Sequence, residues 1–227
     1  MSKSKMEKFA AIGTFPNVLQ NWSHAQPTAM DKDGKAVAIK GKWGELMFGN
    51  DQPIVLELAC GKGEYTNAMA AAYPEKNFIG IDIKGNRLHN GAAQALEEGR
   101  HNAAFLRTEI FFLPYFFAPG EVHEIWVTFP DPHLRPSKSQ QRLTSERFIN
   151  IYRACCAKDA VVHLKTDDPT LYEFTLESVE ASGARMLYHS NDIYAGPLHH
   201  PLLEVKTYYE RMHLEIGRKI KYVSFQL

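Results

Sequence analysis

The chain has 227 residues, of which 44% are hydrophobic and 23% charged, with 26 basic side chains against 26 acidic ones. This ordinary globular composition excludes a disordered or fibrous chain, and the length favours one domain around one sizeable core. The balanced charge excludes whole-molecule attraction to nucleic acid, so a surface for such a partner must come from local segregation of charge.

No apolar stretch reaches the roughly 20 residues that a membrane helix requires. The first residues, "MSKSKMEKFAAIGTF", carry lysines but no sustained apolar run, so a secretory signal is not expected and the cytoplasm is the default location. Cys60, Cys155 and Cys156 form no C-x-x-C spacing, and His199 and His200 have no third ligand at metal spacing. Neither a disulfide framework nor a metal site is expected.

Residues 1–52 are dense in Gly and Lys and lack a strong period. They are expected to form an N-terminal arm or extension with one short helix, in which Lys3, Lys5 and Lys8 are available as an electrostatic arm. The remainder, residues 53–227, reads as a single domain. "PIVLELA" predicts a strand over 53–59, and the Ala- and Met-rich "EYTNAMAAAY" a helix over 64–73. "NFIGIDI" predicts the next strand, and "KGNRLHNGAAQALEEG" a helix closing on Gly99. Further strands are expected in "AAFLRT", "EVHEIWVTF", "AVVHLKT" and "ARMLYHS". Between them, "SERFINIYRACCA" and "DPTLYEFTLESVEASG" are helical, the latter with Asp168 as N-cap and Pro169 in its first turn. Strands that are apolar almost throughout and alternate with helices predict an α/β fold with a mostly parallel sheet covered on both faces.

Ligands of such sheets bind beyond the carboxyl ends of the strands, which directs attention to the loops after Ala59, Ile83, Thr108, Phe129 and Thr166. Glu57 lies inside the first strand, and Gly61 and Gly63 occupy the turn that opens the first helix, where glycine allows close backbone approach to a ligand. Asp82 stands 19 residues after Gly63, an offset that suits the hydroxyls of a ribose. Glu109 is an acceptor for an adenine amino group, with Phe111, Phe112 and Phe116 as candidate apolar walls. These features point to an adenosine-containing cofactor. The dinucleotide fingerprint is incomplete, which disfavours a nicotinamide-dependent oxidoreductase, and an acid within the first strand is the pattern of S-adenosylmethionine-dependent methyltransferases.

The apolar run ending at Phe129 stops in "TFPDPH", two prolines bracketing Asp131. With "HLKTDD" on the next strand and "TYYERMHLEIGRKI" near the end, the chain resembles the bacterial-type tRNA (guanine-N7-)-methyltransferases from about Lys40 onward. The resemblance implies a Rossmann-like methyltransferase with a seven-stranded sheet whose last strand, in "KIKYVSFQL", runs antiparallel. It also implies S-adenosyl-L-methionine as cofactor and tRNA as partner, with monomer or homodimer undecided. It assigns Glu57, Asp82, Glu109 and Asp131 to the cofactor, and Arg135, Asp167, Thr207, Tyr208, Tyr209 and Glu210 to the tRNA.

Within that frame Asp131 is the expected catalytic residue, because its carboxylate can accept from guanine N1–H and amino groups and stabilise the cationic ring. Arg135, Lys138 and Arg142 are expected to meet phosphates. The sequence departs from the family pattern at His133, where Trp is usual, and in the sparse basic run "LRPSKSQQR", which predicts fewer phosphate contacts there. Ala59 replaces the usual first glycine of the cofactor loop and is expected at negative φ. A methyltransferase of another substrate, or an inactive cofactor- or RNA-binding module, remains the alternative.

Overall fold

The computed structural model describes residues 4–227. Its sheet grows from the apolar runs: β4 (Ile54–Leu58), β5 (Asn77–Asp82), β6 (Ala103–Arg107), β7 (Val122–Thr128) and β8 (Cys156–Thr166) are parallel to their neighbours among these five. The chain steps outward from β4 through β5 to β6, then returns to the other side of β4 for β7 and β8. That reversal leaves a crevice at the carboxyl ends of β4 and β7, the place where open α/β sheets bind ligands.

Alternation along the strands divides the core. Ile54, Leu56 and Leu58 face one apolar layer, built with Phe116, Phe148, Ile149 and Leu171 from α4 (Leu113–Phe116), α5 (Glu146–Arg153) and α6 (Pro169–Ala181). Val55 faces the other layer, with Tyr65 and Met69 of α2 (Glu64–Ala72) and Leu88 and Ala92 of α3 (Gly85–Glu97). Glu57 follows the parity of Val55, so a carboxyl enters this second layer. Asp168 caps α6 as expected, accepting from Leu171 N at 2.7 Å.

Beyond β8, β10 (Lys221–Gln226) inserts antiparallel between β8 and β9 (Arg185–Ser190), as the resemblance implied. Among the described residues the sheet nevertheless has ten strands rather than seven. The extra three come from the N-terminal region: β1 (Val18–Gln20) pairs parallel with β6, and β2 (Ala29–Met30) and β3 (Ala36–Val37) extend that edge. Strands this short carry no readable period, which is why the sequence did not reveal them. The helix α1 (Lys5–Ile12) is closed by a Ser4–Glu7 capping box; it buries Ile12, and Lys8 Nζ donates to Asn90 Oδ1 at 3.0 Å. Lys3, the first of the three arm lysines, lies outside the described residues. Among the described residues no helix is long and apolar enough to cross a membrane.

Candidate active site

The cofactor loop follows from its backbone. Gly61 and Gly63 adopt φ of 57° and 68°, left-handed values that glycine tolerates. Their surroundings differ: a Cβ on Gly61 would meet nothing within 4 Å, whereas one on Gly63 would lie 2.6 Å from the Phe105 ring. Gly61 therefore presents bare backbone to the cleft, and Gly63 serves the packing of α2 against β6. Ala59 has φ of 57°, which overturns the expectation of a negative value. A left-handed alanine costs about 1 kcal/mol, and the loop carries it because the turn needs that conformation. Phe129 and His133, which flank Asp131, also have positive φ, at 49° and 44°. Strain thus gathers on both loops that border the crevice.

The buried carboxyl of Glu57 is fully engaged. Thr66 N donates to Oε2 at 2.7 Å with Thr66 Oγ1 on the same oxygen, and Thr128 Oγ1 donates to Oε1 at 2.8 Å. Burial pushes its pKa up from 4.5 to about 7, against the opposing pull of those hydrogen bonds. Asp82 accepts from Gly61 N at 3.0 Å and from Lys84 N at 2.8 Å, so it holds the glycine loop in place and keeps lone pairs for a hydroxyl. Asp82, Glu109 and Phe111 line one cavity of about 230 Å³ with Ile83, Leu143 and Phe148, a polar edge with apolar walls suited to adenosine. Of the three phenylalanines only Phe111 is in that wall; Phe116 is in the core, and Phe112 lines a neighbouring pocket with Trp22 and His24.

A second cavity continues from the glycine loop past Glu57, Lys62, Thr128, Phe129, Thr207 and Tyr209. A third, of about 280 Å³, opens beyond Phe129 and is walled by Pro130, Pro132, Asp167, His213 and Arg218. Arg87 and Tyr209 line both of these. Asp131 stands at the rim between the two prolines, three-quarters exposed, with His133 N donating to its Oδ1 at 3.0 Å. It lines neither the cleft beside Glu57 nor the cavity beyond Phe129, so the structure does not bring it to the cofactor loop.

Several expected tRNA contacts are committed elsewhere. Asp167 is paired with Arg218 and lies 3.4 Å from His213 Nδ1. Arg135 is exposed ahead of a 3-10 turn and free to meet a phosphate. Arg142 is not: it is 5% exposed, donates to Pro132 O at 3.0 Å and His133 O at 3.2 Å, and stacks on Phe174. Its role is to clamp the loop that carries Asp131. Thr207 caps α7 (Tyr208–Glu215), Tyr208 and Tyr209 are exposed, and Tyr208 N donates to Glu64 Oε2 at 2.7 Å.

Glu210 requires correction, because it is fully buried and touches no surface that tRNA could reach. Its Oε2 lies 2.7 Å from Lys165 Nζ, and Tyr194 Oη donates to Oε1 at 2.7 Å. Lys165, equally buried, also donates to Leu203 O and Val205 O at 3.0 and 2.9 Å. This ion pair fastens α7 and the segment before it to the end of β8. A lysine within the apolar run "VVHLKT" was the signal for it, since a buried cation demands a buried partner.

A protein-family model described as "Putative methyltransferase" matches residues 51–223. A tRNA (guanine-N(7)-)-methyltransferase of Bacteroides thetaiotaomicron is 43% identical over 227 residues, covering 100% of this chain and 87% of that protein. The protein of the same name from Porphyromonas gingivalis is 46% identical over 216 residues, 94% of this chain and 86% of its own length. Among solved structures, the 16S rRNA methyltransferase KamB superposes with a TM-score of 0.65 at 14% identity, covering 85% of this chain and 96% of its own, a likeness of fold. The chain belongs to the tRNA (guanine-N7-)-methyltransferase family.

Proposed function

We propose that the protein transfers a methyl group from S-adenosyl-L-methionine to N7 of a guanine in tRNA, the one in the variable loop by analogy with its family. The observation that carries this reading is the full-length similarity to proteins of that name, supported by cavities beside the glycine loop that Glu57, Asp82, Glu109, Thr207 and Tyr209 line. Residues 53–227 form the catalytic unit and residues 1–52 its extension, and the cytoplasm is where we place the activity.

The cleft fits the cofactor: open space over Gly61, acceptors on Asp82 and Glu109, and the Phe111 wall suit its adenosine. Glu57, in the wall of the neighbouring cavity, would when ionised favour the ammonium group of the methionine end. When bound, the cofactor supplies an electrophilic methyl on a sulfonium. Guanine N7 has an in-plane lone pair and no proton, so no general base is needed. What the chain must do is hold N7 in line with the methyl carbon and place negative charge where cationic charge develops. We give the second task to Asp131, on a loop kept rigid by its prolines and by Arg142. The cavity beyond Phe129 would take a base swung out of its tertiary contacts.

Borohydride and aniline, which break RNA at 7-methylguanosine, test this on an unmodified tRNA transcript incubated with enzyme and cofactor. One scission in the variable loop is expected; an intact strand rejects the activity, and scission elsewhere rejects the position.

A further inference from the structure

Three arginines, Arg87, Arg135 and Arg185, make no hydrogen bond, ion pair or ring contact among the described residues through their guanidinium groups. Arg135 and Arg185 are exposed and solvated. Arg87, in the first turn of α3, is half-buried and forms part of the wall of both the cofactor cavity and the cavity beyond Phe129. A guanidinium is always charged and presents five donors, so leaving it partly desolvated and unpaired is unfavourable unless a ligand completes it.

The acids nearby do not complete it. Glu57 is satisfied by Thr66 and Thr128, and Glu64 accepts from Tyr208 N and approaches Arg211. Asp167 is held by Arg218 and His213, and Asp168 caps α6. Every carboxylate lining the two cavities therefore has a partner other than Arg87. An oxyanion is the missing ligand, and two are at hand in a tRNA methylation: the carboxylate of the cofactor and a phosphate of the RNA.

We infer that Arg87 is an anion-binding residue that holds a backbone phosphate next to the target guanosine, an inference that rests on the tRNA methyltransferase reading above. The cofactor cavity already has the ammonium of Lys62 in its wall for a carboxylate. The cavity beyond Phe129 is the one assigned above to the substrate base, and there Arg87 is a guanidinium without an acid of its own. The inference also accounts for the sparse loop after Asp131. Arg142 is turned inward to clamp that loop, which leaves Arg87 of α3 as the guanidinium in this cavity without an acid.

Arg87→Ala and Arg87→Lys, with melting curves to confirm folding, provide the test. For Arg87→Ala the KM for tRNA should rise about tenfold, and the slope of log Kd for tRNA against log salt should fall by about one unit. Its Kd for S-adenosylmethionine should stay within about twofold of wild type, and Arg87→Lys should restore the salt slope. An unchanged slope overturns the inference, and so does a weakened cofactor Kd with an unchanged KM for tRNA, which would give the guanidinium to the cofactor carboxylate. Wild-type enzyme that forms no 7-methylguanosine defeats the underlying reading instead, before either variant is compared.

Discussion

Asp131 and Glu57 are both acids near the same crevice, and their surroundings give them different work. Asp131 is exposed and held by one backbone N–H, so Asp131→Asn should leave the fold intact while kcat falls roughly a hundredfold, the scale of one lost electrostatic contact in a transition state. Wild-type kcat in that variant would remove Asp131 from the mechanism. Glu57 has its pKa raised to about 7, so it favours folding when protonated. Its favourable contribution is full below 4.5, its ordinary value, and is lost as pH rises through about 7, at most about 3 kcal/mol. Glu57→Gln, which keeps the shape, should therefore gain Tm relative to wild type between pH 5 and pH 8, and a Tm difference constant with pH would contradict this. Sequence patterns located both acids, because strand parity and the prolines fix where they sit. What they could not give was the partners, Thr66 and Thr128 on one acid and Arg142 behind the other, since those meet only across the folded chain.

At the scale of elements, the strands and helices from Pro53 onward were legible because apolar runs and Ala-rich stretches alternate with turn residues. The segment 191–207 and α7 were less so, since Thr207–Glu210 has the look of a substrate motif while its glutamate points into the core. Its motif spacing is explained by the cap: Thr207 begins the helix, Tyr208 and Tyr209 face outward, and Glu210 turns in to Lys165. Removing one member leaves a buried charge alone, so Lys165→Met should cost about 3–5 kcal/mol. Adding Glu210→Leu should recover most of that loss, a coupling that a double-mutant cycle in urea would measure. Additive losses would mean that the two groups do not act as a pair.

On the scale of the whole molecule, charge balance pointed to local rather than global attraction for RNA. Around the crevice the fold sets Arg87 and Lys62 beside the paired Arg211 and Arg218, with Glu57, Glu64, Asp167 and Asp168 among them. The ten-strand sheet was not legible, because β1 to β3 are two or three residues each. Their consequence is that residues 4–52 are part of the sheet and its packing: Val18, Leu19 and Trp43 are buried, and Trp43 Nε1 donates to Phe116 O at 2.9 Å. Deleting residues 1–40 should bare the β6 edge and yield aggregated protein in size-exclusion chromatography. A monodisperse, active truncation would instead make the extension a separable arm.

The central claim, methyl transfer to guanine N7 of tRNA, is tested most directly with S-adenosylmethionine bearing an isotopically heavy methyl group. After reaction with unmodified tRNA transcripts, the RNA is digested and its nucleosides are resolved by mass spectrometry. Heavy 7-methylguanosine should appear as the one labelled nucleoside, and label in any other nucleoside, or in none while the cofactor still binds, would contradict the account.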